Sequence, residues 1–69
     1  MKLSARNQIK GIVKQINDGA VNTEVIIEVA PGVEIASIIT KNSAENLDLK
    51  IGKETYACIK ASSVMLAVE

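Results

Sequence analysis

The feature that most limits what this chain can become is a period-two alternation running from Ile9 to Thr40, interrupted only at Asn17-Asp18-Gly19 and Ala30-Pro31-Gly32. Successive side chains of a strand point to opposite faces, so this period, carried by Val and Ile, specifies strands. Ile9, Gly11 and Val13 alternate with Lys10, Ile12, Lys14 and Ile16. Val25, Ile27 and Val29 alternate with Glu24, Ile26 and Glu28, and Val33, Ile35, Ser37 and Ile39 with Glu34, Ala36, Ile38 and Thr40. Three strands are expected, over Ile9–Ile16, Thr23–Val29 and Val33–Thr40. Asp18-Gly19 predicts a hairpin whose residues take positive φ, and Pro31-Gly32 predicts a type II turn.

Beyond Thr40 the period changes. Asn42-Ser43-Ala44-Glu45 has the form of a capping box, with Asn42 at the cap and Glu45 three residues on, and predicts a helix of one or two turns through Leu47. Gly52 marks a turn into a fourth strand, Glu54–Lys60, in which Thr55, Ala57 and Ile59 oppose Tyr56, Cys58 and Lys60. Ala61–Ser63 breaks the pattern, and Val64–Val68 is expected as a fifth strand. Five strands with a short helix between the third and fourth is the order of an all-β, OB-type five-stranded barrel occupying 1–69 as one domain.

A chain of 69 residues is too short for one core to stabilise it comfortably. Cys58 is the only cysteine and there is no histidine, so neither an intrachain disulfide nor a structural zinc site can supplement it. Several strands also carry an Ile, Met or Tyr on the nominally outer face. Both points call for association with further copies.

Eight basic and eight acidic residues cancel, against a polyanion-binding surface. Tyr56 is the only aromatic, so an OB module that stacks single-stranded bases lacks both its platforms and its basic groove. No apolar run approaches a membrane span, and Met1-Lys2-Leu3-Ser4 lacks the apolar core of a secretory signal, so a cytoplasmic chain is expected. Cys58, between Ala57 and Ile59, is expected as a small packed residue. A Ser-Lys pair of Ser4 or Ser62 with Lys60 has no histidine and no deep cleft to support it, so the chain is not expected to be an enzyme.

Donors gather in two places. Ser4-Ala5-Arg6-Asn7-Gln8 holds the only arginine, and Lys60-Ala61-Ser62-Ser63 pairs a lysine with two hydroxyls; neither contains a carboxylate. A cation beside small hydroxyl residues suits a small oxygen-rich anion.

The run Ser-Ala-Arg-Asn-Gln-Ile-Lys-Gly, the turn Gly19-Ala20-Val21-Asn22, the stretch Leu47–Glu54 and the ending Ile59-Lys60-Ala61-Ser62-Ser63-Val64-Met65 together resemble the molbindin family, the Mop-domain or molybdenum-pterin-binding proteins, over essentially the whole chain. The resemblance implies a hexamer, a trimer of dimers, that holds molybdate at subunit interfaces and on the threefold axis for storage or homeostasis. Tungstate, of nearly equal size and charge, would be taken alike. By position, Ser4, Arg6, Lys60, Ala61 and Ser62 would form one wall of the interface site. Gly19, Ala20, Val21 and Asn22 would offer backbone groups from a neighbouring subunit or line the axial site, with Thr40 as a further candidate. A pterin has only Tyr56 to stack on. The competing readings are a nucleic-acid-binding OB module and a purely structural oligomer.

Overall fold

The computed structural model describes residues 1–69: one curled antiparallel sheet with a short helix. The elements are β1 (Asn7–Asp18), β2 (Asn22–Ala30), β3 (Val33–Thr40), α1 (Lys41–Asn46), β4 (Glu54–Ile59) and a 3-10 turn at Ala61–Ser63. The sheet order is β3-β2-β1-β4, giving an all-β half-barrel of four strands. β1 is long enough to serve two neighbours in succession. Its first half pairs with β4, from Asn7 opposite Ile59 to Ile12 opposite Glu54, and its second half pairs with β2, ending at Asp18 opposite Thr23. No helix is long and apolar enough to cross a membrane.

The core lies on the concave face, where Val13, Val25, Ile27 and Ala57 are buried and Ile16, Val29, Ile35, Ile39 and Leu49 pack partly against them. The alternation expected for β2, β3 and β4 is present: Val25 and Ile27, Ile35 and Ile39, Ala57 and Ile59 turn inward. Thr23 is fully buried, and its hydroxyl donates to Asp18 Oδ1 at 2.9 Å. Gly11 is set by close approach: a Cβ there would meet Ile27 Cγ2 and lie 2.8 Å from the Glu28 carbonyl oxygen.

Ile16 departs from expectation. The alternation puts it with Lys10, Ile12 and Lys14 on the outer row, yet it packs against the core. The register steps from Val13 opposite Ile27 to Gln15 opposite Ile26, so Lys14 is an extra residue and the inward face changes parity after it.

The turns differ in kind. Gly32 has φ +75, as the third residue of a type II turn requires, and Gly52 has φ +92 at the turn before β4. Gly19 does not take positive φ. Its N–H donates to the Asn22 carbonyl at 2.7 Å across a three-residue loop, and a Cβ would lie 2.8 Å from that same oxygen. Closeness, not handedness, requires glycine there.

The helix begins earlier than the capping-box pattern placed it. Thr40, not Asn42, is the N-cap, its Oγ1 accepting from the Ser43 N–H at 3.1 Å. β3 delivers Thr40 in extended conformation, which a cap residue needs, so the strand end decides between two good capping residues. At the other end Asp48, at φ 52, donates its N–H to Glu45 O, and Leu49 donates to Ala44 O, the paired bonds of a Schellman motif. Lys53 Nζ closes this end by donating to the carbonyls of Leu47 at 2.8 Å and Asp48 at 3.0 Å.

The fifth strand expected at Val64–Val68 pairs with nothing in this chain. After the 3-10 turn the backbone is extended, and it keeps one backbone bond, Val64 N–H to Ala61 O at 3.3 Å. β3 and β4 are therefore both open edges.

Candidate functional site

The β1–β4 ladder brings the two donor-rich segments together. Its last pair is Asn7 opposite Ile59, so Arg6 and Lys60 both leave the same end of the ladder, and Ser4 and Ser62 lie with them along one groove. Asn7 Nδ2 donates to the Ile59 carbonyl at 3.3 Å, and Gln8 Nε2 donates to the Ala5 carbonyl at 2.7 Å. These bonds tie the segment before β1 to the start of the ladder. The 3-10 turn, with Ser63 N–H on Lys60 O at 2.9 Å, does the same for the segment after β4.

Ser4, Arg6, Lys60, Ala61 and Ser62 line one open groove of about 490 Å³, with Leu3, Ala5 and Cys58 completing it. No carboxylate lines it. The three ion pairs of the chain, Lys10–Glu54, Lys14–Glu28 and Lys50–Asp48, lie elsewhere, so Arg6 and Lys60 are cations without a carboxylate partner. The groove can thus offer charged N–H groups and hydroxyls to an acceptor-only ligand and set no acceptor of a carboxylate against it. It is several times larger than a tetrahedral oxyanion, so a single copy does not enclose one.

The remaining candidates lie apart from this groove. Ala20, Val21 and Thr40 meet in a second, smaller depression with Lys41 and Asn42, while Gly19 and Asn22 do not line it. Asn22 is paired with Thr40 across β2 and β3, which brings the 19–22 turn beside the start of α1. Thr40 Oγ1 there donates to Ser43 Oγ at 2.8 Å and caps the helix.

Ala5 lines the groove as the spacer inside the donor segment Ser4–Gln8, and Leu3 lines it although it carries no polar signal. Cys58, expected to be packed, is exposed because it alternates with the buried Ala57 on β4 and so faces outward into the groove. The alternation itself held that information. No cluster of His, Cys, Asp or Glu suited to a metal ion occurs.

Comparison with known proteins gives this geometry a context. The TOBE domain family matches residues 3–66. A probable molybdenum-pterin-binding protein of Haemophilus influenzae is 48% identical over 69 residues, covering all of both chains. The molybdenum transport protein ModE of Azotobacter vinelandii is 56% identical over 69 residues, which is all of this chain and 26% of ModE's length. Among solved structures, the cytoplasmic molybdate-binding protein ModG, in a crystal form with molybdate bound, superposes with a TM-score of 0.93 at 48% identity, over 100% of this chain and 49% of that one.

Proposed function

The chain belongs to the TOBE-domain family and to its molybdenum-pterin-binding, or molbindin, members, and from that premise we propose that it is a molybdate-binding protein that takes up the oxyanion without transforming it. Molybdate is a dianion whose oxygens only accept hydrogen bonds. The observation that carries the reading is the carboxylate-free groove in which Arg6 and Lys60, from opposite ends of the chain, stand beside Ser4 and Ser62. Charge-assisted donors bind such an anion about twice as strongly as neutral ones.

The fuller reading is a single domain serving molybdenum storage or homeostasis in the cytoplasm. Its completed unit is a five-stranded OB-type barrel, and the barrels assemble as a trimer of dimers. Ser4, Arg6, Lys60, Ala61 and Ser62 form one wall of an interface site that a neighbouring copy closes. The Gly19-Ala20-Val21-Asn22 turn and Thr40 serve a second, axial site. Tungstate enters the same sites as molybdate, and an anion that binds only the assembly stabilises it by mass action. Pterin has no stacking surface in the groove.

Isothermal titration of the purified oligomer with sodium molybdate tests the reading, with sulfate and a single-stranded oligonucleotide as controls. Saturable molybdate heat that is lost in Arg6→Ala is the expected result. An intact oligomer that gives no molybdate heat overturns it and leaves a structural assembly, and heat with the oligonucleotide alone would make the chain a nucleic-acid module.

A further inference from the structure

The two halves of the groove wall are held in different ways. Lys60, Ala61 and Ser62 follow the last pair of the β1–β4 ladder and fold into the 3-10 turn, with Ser63 N–H on Lys60 O at 2.9 Å and Val64 N–H on Ala61 O at 3.3 Å. The half that carries Ser4 and Arg6 has no such frame. Residues 1–6 belong to no strand or helix, none of their N–H or C=O groups is bonded to another backbone group, and none of their side chains enters the core. Arg6 makes neither an ion pair nor a hydrogen bond within the chain.

One side chain reaches this loose half. Gln8 Nε2 donates to the Ala5 carbonyl at 2.7 Å and, over a longer 3.4 Å, to the Leu3 carbonyl, and residues 1–6 make no other hydrogen bond. A primary amide carries two N–H donors, one for each of these carbonyls. The accepting residues flank Ser4 and immediately precede Arg6. Gln8 is placed for this by its pairing with Cys58 on β4, since the side chains of a cross-strand pair share a face and Cys58 faces the groove. Gln8 does not line the groove itself. An arm that adopts its binding geometry only part of the time lowers apparent affinity by that fraction, so fixing the arm in advance raises affinity without a new contact to the ligand.

We propose that Gln8 is a positioning residue of the anion groove: by clamping the Leu3 and Ala5 carbonyls it holds Ser4 and Arg6 beside Lys60 and Ser62 before the anion arrives. The inference rests on the reading of this groove as an oxyanion site and adds how its wall is set. Lys60, Ala61 and Ser62 form a fixed part, held by the ladder and the turn. Ser4 and Arg6 form a hinged part, held by one amide. Without that amide the anion has to order the segment itself, and the cost appears as weaker binding. Both bonds are exposed to water and lie outside the core, so the clamp contributes little to global stability.

The test compares the parent with Gln8→Met, which keeps side-chain length and neutrality and removes both donors, each as the full chain with its assembly checked by native mass spectrometry. Three quantities are read: amide nitrogen-15 heteronuclear NOEs without anion, the urea midpoint, and the heat of titration with sodium molybdate. In Gln8→Met the NOEs should fall at residues 3–6 and hold at Ala61–Ser63, the midpoint should stay, and the Kd should rise about threefold to tenfold. Saturating molybdate should restore the NOEs at residues 3–6. Weaker binding with residues 3–6 still ordered overturns the inference, because Gln8 would then touch the anion. A lowered midpoint with NOEs reduced in both segments also overturns it, because Gln8 would then be a support of the whole sheet. Equal affinity of the two proteins overturns this inference alone, whereas a parent that gives no molybdate heat overturns the oxyanion reading and the inference that rests on it.

Discussion

Asn7 stands opposite Ile59 at the last pair of the β1–β4 ladder, and its side-chain amide donates to the Ile59 carbonyl at 3.3 Å. That bond fastens the two ends of the chain at the position from which Arg6 and Lys60 emerge. Two segments separated by most of the sequence become one groove because β1 begins where β4 ends. The wall of the candidate groove is thus a consequence of strand register.

If this bond holds the wall together, Asn7→Ala should weaken molybdate binding more than its stability cost suggests. One hydrogen bond contributes about 0.5–1.5 kcal/mol, so urea unfolding should show a loss in that range. Titration should show reduced affinity although Asn7 does not line the groove. Unchanged affinity with reduced stability would mean that backbone pairing alone sets the wall.

Thr40→Ala should cost about 1 kcal/mol through loss of the N-cap, and Asn42→Ala should cost little, since Asn42 lies inside the first turn. Comparison of the two urea midpoints decides where the helix begins. The reverse order would restore the capping box read from Asn42 to Glu45.

That difference shows which parts of the molecule are legible in a linear sequence. β2, β3 and β4 could be read because period two is local and each inward row is marked by Val, Ile or Ala. Ile16 could not, because a bulge at Lys14 shifts every later side chain and leaves no mark of its own. Asn42 and Thr40 are both good caps, and only the extended end of β3 selects Thr40. The groove depends on the pairing of residue 7 with residue 59, which no local pattern states, so it was reached through a whole-chain resemblance. Val64–Val68 reads as a strand from its apolar run, yet it pairs with nothing in this chain, because pattern marks strand character and not a pairing partner.

Gly11→Ala should destabilise by about 1–3 kcal/mol, the usual cost of forcing a methyl into a filled site. The new Cβ would press on Ile27 Cγ2 and on the Glu28 carbonyl oxygen, and the carbonyl belongs to a strand that cannot shift without breaking its ladder. A thermal melt should show a clear fall in midpoint. An unchanged melt would mean that β1 and β2 separate there without cost.

Asp48→Gly should stabilise the chain. Asp48 holds φ 52 at the position after the helix where glycine is favoured, and the left-handed region costs other residues about 1–2 kcal/mol. The substitution also gives up the exposed pair with Lys50 at 3.6 Å, which contributes little, and frees the unfolded chain somewhat. A net gain of up to about 1 kcal/mol in urea unfolding is expected, and a loss would assign the Asp48 carboxylate a larger part in holding the 47–53 loop.

Selection against acceptors in the groove can be tested without removing any donor. Cys58 lines the groove, lies exposed on the outer face of β4 and takes no part in the core, so Cys58→Asp leaves Ser4, Arg6, Lys60 and Ser62 in place and adds one carboxylate among them. The new charge repels a dianion and competes with it for Arg6. Affinity for molybdate should fall about tenfold or more, equivalent to about 1.4 kcal/mol, while Cys58→Ser, which adds only a hydroxyl, should bind nearly as the parent does. Native mass spectrometry of both variants reports whether assembly is intact. Equal affinity of Cys58→Asp and Cys58→Ser in intact assemblies would mean that the anion does not sit between Arg6 and Lys60, and the site would have to be sought at the 19–22 turn and Thr40 instead.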